Sequence, residues 1–302
     1  NISNFELKNR ENNIVEVSIL IINFNKQQYL RKCIESALGQ TFKNLEVVLI
    51  DDCSTDSSLK IAAEYPIRIV KHDFNRGTLH ARYTGAKSAR GRLLVYVDSD
   101  DMLFSEFIVQ HMVEIQKQKQ VDVVHFDSIS NDAGRYSHLD FGKPTQNATF
   151  KQPELAEFFK TSYLAWGKLM KTENVLKAYG FIGDELQHAV YDDFIVVPLI
   201  GYFSRSYFAV EEVGYVYDLN PVSVMATIKN NSHKIVKCEG IAFNVYLKHP
   251  DATYSEKYFK SLVNSISNSQ KDKQICEIIS HIKFSEEQKQ QIAKILNCEE
   301  LT

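Results

Sequence analysis

Through the first third of the chain, short β-branched apolar runs alternate with amphipathic stretches. Val17-Ser18-Ile19-Leu20-Ile21-Ile22 has the composition of a strand buried on both faces. It gives way to Asn23-Phe24-Asn25. Tyr29, Leu30, Cys33, Ile34, Ala37 and Leu38 then fall on one helical stripe. A second strand is expected over Leu45 to Ile50, ending in Asp51-Asp52. Ser54 or Thr55 stands where the next helix, carrying Leu59, Ala62 and Ala63, wants its N-cap. A third strand, Ile67 to Val70, precedes a turn at Asn75-Arg76-Gly77. Ala81, Gly85 and Ala89 follow at four-residue spacing, small residues that let a helix lie close to a sheet. A fourth strand, Leu93 to Val97, runs into Asp98-Ser99-Asp100-Asp101. Strands alternating with helices predict βαβ units, a mainly parallel sheet and a Rossmann-like α/β fold. In such sheets ligands sit beyond the carboxyl ends of the strands. Those ends carry Asn23, Asp51 with Asp52, and Asp98 to Asp101, so three polar strand ends converge on one place.

The second half is less regular. A fifth strand is expected at Val121 to Phe126, and Asn131 to Pro153 reads as a polar loop. Pro153 to Thr227 is mixed and rich in Tyr and Phe. Beyond Thr227 the pattern turns helical: Phe259, Leu262, Val263 and Ile266 form a stripe, and Ser285-Glu286-Glu287-Gln288 is a capping box ahead of Ile292, Ile295 and Leu296.

Composition narrows the function. The net charge of -3 argues against a nucleic-acid partner. Five scattered cysteines with no CxxC predict a reduced compartment, with neither a disulfide framework nor a zinc site. No apolar run approaches the roughly 18 residues a bilayer span needs. Residues 1–13 are polar and lack the apolar core of a signal peptide.

Asp98 and Asp100 at a strand end could hold a hard cation through oxygen ligands, with a diphosphate and water completing the octahedron. Read alone, they could equally be a solvated turn or a helix cap. An EF-hand is excluded, because Leu103 sits where that loop needs Gly.

Taken together, the motifs resemble the inverting glycosyltransferases of family 2, which have the GT-A fold. Ile22-Asn23-Phe24-Asn25 matches that family's first strand end, without its proline. Gln40-Thr41 follows, then Asp51-Asp52-Cys53-Ser54-Thr55-Asp56, with Cys53 replacing a glycine. Asn75, Gly77, Ala81 and Arg82 match the next motif, and Asp98, Asp100 and Asp101 the one after it. Further on, Gly167-Lys168-Leu169, Asp192-Asp193, Tyr215-x-Tyr217 and Ser223 match more loosely. Asp192 replaces the usual Glu, and Asp218 stands where Arg is frequent.

The resemblance implies a UDP-sugar donor site of Ile22, Phe24, Asn25, Asp52, Asn75, Gly77, Arg82, Asp98, Ser99 and Lys168. Asp52 would accept a hydrogen bond from the uracil imide, Phe24 would line the base, and Arg82 would reach its carbonyl or shield the pocket. Asp98 would hold the ribose and Asp100 a Mn2+ or Mg2+ ion. Asp193, with Asp192 beside it, would be the catalytic base that deprotonates an acceptor hydroxyl. Plainer readings stand beside these. Asp51 reads as strand-end solvation, Arg82 as a surface ion pair with Asp51 or Asp56, and the acidic pair as a helix start. Trp166 is either a sugar platform or a core residue.

On this reading residues 14–227 form the GT-A domain, with a nucleotide half at 14–118 and an acceptor half at 119–227. Residues 228–302 form a C-terminal helical extension. The implied reaction is metal-dependent, inverting transfer to a glycan, lipid-linked or protein-linked sugar in bacterial surface glycan synthesis. The implied location is the cytoplasm, with peripheral association at the inner membrane face left open. Two alternatives are a sugar-nucleotide nucleotidyltransferase and a non-catalytic nucleotide-sugar binding module. The first needs a Gly-rich loop that Asn23 to Gln27 lacks, and intact Asp98, Asp100 and Asp193 weigh against the second.

Overall fold

The computed structural model describes residues 15–139, 149–151, 164–183, 193–220 and 290. The expected helical extension apart from residue 290, Ser223 and the candidate Asp192 lie outside the described residues.

Residues 17–98 follow the apolar pattern closely. Strands β1 (Val17–Asn23), β2 (Leu45–Asp51), β3 (Arg68–Lys71) and β4 (Leu93–Asp98) alternate with helices α1 (Leu30–Leu38), α2 (Ser58–Ala62) and α3 (Thr78–Ser88). Every residue of β1 is buried, as its unbroken apolar run requires of a strand covered on both faces. The order β3-β2-β1-β4 is parallel throughout. The chain therefore reverses direction across the sheet between β1 and β4, and a crevice opens there at the carboxyl ends. The register levels those ends, with Asn23 opposite Asp51 and Ile22 opposite both Ile50 and Asp98.

Helix α1 buries Leu30, Cys33, Ile34 and Ala37, its predicted stripe. Helix α3 lies close to the sheet, as its small residues predict. A Cβ on Gly85 would stand 3.1 Å from Ile50 Cδ1 and 3.4 Å from Leu20 Cδ1. Neither Ser54 nor Thr55 caps α2. Ser57 is the N-cap and makes no side-chain cap bond, while the Ser58 amide donates to Asp56 Oδ1 at 2.9 Å. Ser54 and Thr55 are drawn instead to the loop after β1. Ser54 Oγ accepts from Asn25 N at 2.9 Å, and Thr55 N donates to Asn25 Oδ1 at 2.8 Å.

The second half turns the sheet mixed. Strand β5 (Met102–Leu103) precedes α4 (Ile108–Lys119). The fifth expected strand is β6 (Val123–Asp132), which begins later and runs further than predicted. The polar stretch after it is not all loop, for it holds β7 (Arg135–His138) and β8 (Thr149–Lys151). Ala133 and Gly134 both take positive φ between paired Asp132 and Arg135, the signature of a two-residue hairpin. The exposed face of β7 gave no apolar alternation to read. Strand β9 (Lys168–Lys171) runs antiparallel between β4 and β6. Helices α5 (Thr172–Ile182) and α6 (Asp193–Phe203) follow, then β10 (Ser206–Asp218), parallel to β6. One core cluster runs from Val17 and Ile19 through Val95 and Met112 to Phe126, Trp166 and Tyr215. Among the described residues no helix is long and apolar enough to cross a membrane.

Candidate active site

At the crevice the loops after β1 and β2 are stapled together. Asn25, at φ 52°, accepts from the Thr55 and Asp56 amides through its Oδ1. Asp51 is not strand-end solvation. It is fully buried, and accepts from Asn23 Nδ2 at 2.8 Å and from Ser54 N at 2.9 Å. The Ile22 carbonyl accepts from Ser99 N at 3.1 Å, which fixes the start of the acidic motif.

Asp52 is also buried, and its carboxylate is heavily engaged. Oδ1 accepts from Arg76 N at 2.8 Å and lies 2.7 Å from His72 Nδ1, while Oδ2 accepts from Gly77 N at 2.8 Å. Asn75 Nδ2 reaches the Asp52 carbonyl at 3.4 Å. Gly77, at φ 84°, permits the turn that points these amides inward at the start of α3. A carboxylate offers about four lone-pair positions, so one on Oδ2 has no partner among the described residues. Phe24, in the loop after β1, is 44% exposed.

Arg82 is not on the surface. It is 2% exposed, and it joins the two carboxylates expected to serve donor and acceptor. Its Nη2 donates to Asp98 Oδ1 at 2.8 Å, and its Nη1 to Asp193 Oδ1 at 2.6 Å. Asp193 Oδ1 also accepts from Ala165 N at 3.0 Å. Desolvation pushes the Asp98 carboxyl up, against the pull of Arg82. Lys168 is fully buried, donates to the Leu164 carbonyl at 2.6 Å, and is held down to about 7 by burial, with Asp193 opposing.

Asp101 faces the other way and ties the motif to β10. Its Oδ2 accepts from the Tyr215 hydroxyl at 2.7 Å and its Oδ1 from Asp218 N at 2.9 Å. Burial, then the neighbouring Asp100 and Asp98, push this carboxyl well up. The Tyr215 hydroxyl in turn accepts from Asp98 N at 3.1 Å. Trp166 stacks on Tyr215 at 4.4 Å between centroids and is 4% exposed, so it is a core residue.

Asp100 carries two partners that the motif does not announce. Its Oδ2 accepts from Lys26 Nζ at 2.6 Å and from Asn220 Nδ2 at 3.0 Å. Lys26 lies in the loop next to Phe24 and could have been suspected from that position. Asn220 is 120 residues away in sequence and left no signal. Among the described residues no three His, Cys, Asp or Glu side chains form a ready-made cation cage. Mg2+ and Mn2+ do not need one, because they keep several waters and take substrate phosphate oxygens beside one or two carboxylates. The local donors suit that chemistry. The described hydrogen bonds of Asp100 fall on Oδ2, and Asn220 Oδ1 is buried beside it with no hydrogen-bond partner among the described residues. The residues present therefore fit a hard cation.

Comparison with known proteins agrees with this geometry. The chain is 32% identical over 155 residues to the uncharacterised glycosyltransferase EpsJ of Bacillus subtilis, across 49% of this chain and 43% of that protein. It is 35% identical over 106 residues to WfaP of Escherichia coli, a UDP-Glc:alpha-D-GlcNAc-diphosphoundecaprenol beta-1,3-glucosyltransferase, across 33% of this chain and 42% of that protein. The chain spans about half the length, or less, of these relatives. The solved structure of S. aureus TarS with UDP-GlcNAc superposes with a TM-score of 0.68 at 15% identity, over 94% of this chain and 83% of that one. At that identity the likeness establishes the shared fold. Residues 18–175 match the family described as glycosyl transferase family 2. With that match over half its length, and with the GT-A architecture around the crevice, the chain belongs to glycosyl transferase family 2.

Proposed function

We propose that this chain transfers a sugar from a UDP-sugar to a hydroxyl of a glycan, lipid-linked or protein-linked sugar, with inversion and with help from Mn2+ or Mg2+. The observation that carries the reading is the Arg82 bridge, which brings Asp98 of the donor motif and Asp193 of the acceptor half to one guanidinium. Asp193 has Oδ1 pinned by Arg82 and Ala165, which leaves Oδ2 to take the acceptor proton. Phe24 and the remaining lone pair of Asp52 receive the base, with Asn25, Asn75 and Gly77 shaping the turns around it. Asp98 receives the ribose. Asp100, with Asn220 beside it, would hold the cation, whose chemistry there is neutralising charge on the departing diphosphate. A single in-line displacement inverts the anomeric carbon.

The names of relatives support the finer reading. WfaP is named for a UDP-sugar donor and a diphosphoundecaprenol-linked acceptor, ExoO of Rhizobium meliloti for succinoglycan biosynthesis, and TarS was solved with UDP-GlcNAc and with UDP. We therefore place the activity in bacterial surface polysaccharide synthesis at the cytoplasmic membrane face. The experiment is a donor-hydrolysis screen over nucleotide sugars with Mn2+ present and then with excess chelator. A UDP-sugar should turn over, stop on chelation and recover with Mn2+ or Mg2+. Undiminished turnover in chelator, together with an active Asp100→Ala variant, would remove the metal role. A guanosine preference would remove the uridine assignment.

A further inference from the structure

We infer that Lys26 is the built-in counter-ion of Asp100 and exchanges this carboxylate for the donor diphosphate when a divalent cation takes Asp100. The inference rests on the nucleotide-sugar and metal reading above and assigns a residue that the family motifs leave out. Lys26 Nζ sits 2.6 Å from Asp100 Oδ2, and the two side chains are only 15% and 16% exposed. Solvent screens such a pair weakly, so neither charge is easily left alone. A dication on the same carboxylate would stand beside the ammonium at close range, where like charges repel. That repulsion drives the ammonium off Asp100 and towards an anion within its reach.

The local structure lets the side chain move while the backbone stays. The Lys26 carbonyl accepts from Tyr29 N and from Leu30 N, both at 3.0 Å, at the start of α1. Next to it, Gln27 N donates to Asp56 Oδ2 at 2.9 Å, and Gln27 Oε1 accepts from Ser57 N at 2.8 Å. The ammonium on its four-carbon stem is a pure donor suited to phosphate oxygens. It rises from the loop after β1, and β1 pairs directly with β4, the strand that ends at Asp98. On the donor reading the diphosphate would bind at this strand edge, beside Asp100, and would supply the negative charge that the metal takes from Lys26. Metal and nucleotide therefore bind cooperatively, each tightening the other by the same factor.

The test measures Mn2+ binding to the full chain by the electron paramagnetic resonance signal of free Mn2+, with and without UDP. For wild type, UDP should tighten Mn2+ at least tenfold. Lys26→Met should bind Mn2+ alone at least threefold tighter than wild type, and the tightening by UDP should shrink at least threefold. Asp100→Asn gives a second, independent readout by calorimetry without metal. Release of Lys26 should strengthen metal-free UDP binding at least threefold, and adding Lys26→Met to that variant should abolish the gain. If Lys26→Met matches wild type in Mn2+ affinity and in the UDP factor, Lys26 is a structural partner and the inference fails while the donor reading stands. If Lys26→Met does not fold, unchanged metal-free UDP affinity in Asp100→Asn overturns it alone. Wild type that binds neither Mn2+ nor UDP would overturn the donor reading and this inference with it.

Discussion

Asp193 has one carboxylate oxygen held by hydrogen bonds, and the proposed function assigns the other to the acceptor proton. Arg82 and the Ala165 amide both bind Oδ1, so the side chain is held at a fixed angle at the start of α6. Asp193→Asn keeps the size and removes the proton-accepting charge. Transfer to a validated acceptor should fall by roughly 10²–10⁴-fold, the usual weight of general base catalysis. UDP affinity measured on the same preparation should stay near wild type, and a wild-type transfer rate would move the base elsewhere. Lys168 makes a different prediction. Folding holds it down to about 7 by burial, whereas the unfolded chain keeps it protonated to about 10.4. Between those values the unfolded state binds the extra proton, so this group makes stability rise with pH, by up to about 4–5 kcal/mol over the window. Below about 7 both states are charged and the full burial penalty is felt. Lys168→Met removes that slope, while its lost hydrogen bond to Leu164 is a nearly constant offset. Thermal melts between about pH 6 and 10 should show wild type gaining on the variant as pH rises; parallel curves would mean the ammonium keeps its ordinary acidity.

Strand β10 is the element that couples core to chemistry. It carries Tyr215 and Asp218 onto Asp101, and Tyr215 also reaches the Asp98 amide. Its pairing with β6 slips between Ala209 and Val213 and again before Tyr215, which re-aims the strand. Gly214 lies at that slip, against buried Phe126 and Ile108. A Cβ there would collide with the Phe126 ring and come within 2.6 Å of Ile108 Cγ1. Both neighbours are packed core side chains, so neither can step aside cheaply. Gly214→Ala should cost about 1–3 kcal/mol of stability by overpacking. Denaturant unfolding checks this, and Gly134→Ala is a useful contrast, since Gly134 meets nothing within 4 Å and tests only its turn conformation. Equal losses in the two variants would refute the packing argument.

On the scale of the whole molecule, Arg82 links the parallel strands of residues 17–98 to the helix that begins at Asp193. One buried guanidinium spans from α3 to the end of β4 and to the start of α6. Arg82→Met strands two carboxylates, which are 27% and 19% exposed and so partly relieved by solvent. After discounting for that screening, the expected loss is about 1–3 kcal/mol, below the cost of breaking a fully buried pair. UDP binding and transfer should both fall in this variant, unlike Asp193→Asn, where only transfer falls. Calorimetry beside transfer rates checks it, and a variant with wild-type UDP affinity would confine Arg82 to the acceptor side.

The alternating strands and helices of residues 17–98, and the convergence of Asn23, Asp51, Asp52 and Asp98, are legible in the amino-acid pattern. Apolar runs buried on both faces and stripes of 3.6 period record local burial directly, and parallel strands bring their carboxyl ends level. The amino-acid pattern did not reveal β7, whose exposed residues need no apolar pattern, or the true cap of α2, because Ser54 and Thr55 bond to Asn25 in the loop after β1. Partner choice was decided only by the tertiary structure. Asp51 and Asp52 are adjacent and chemically identical, yet Asp51 braces Ser54 while Asp52 clasps the 76–77 turn. Arg82 meets Asp193 across 111 positions, and Asn220 meets Asp100 across 120. Side-chain electrostatics depends on distance and burial in space, and no local period along the chain encodes either.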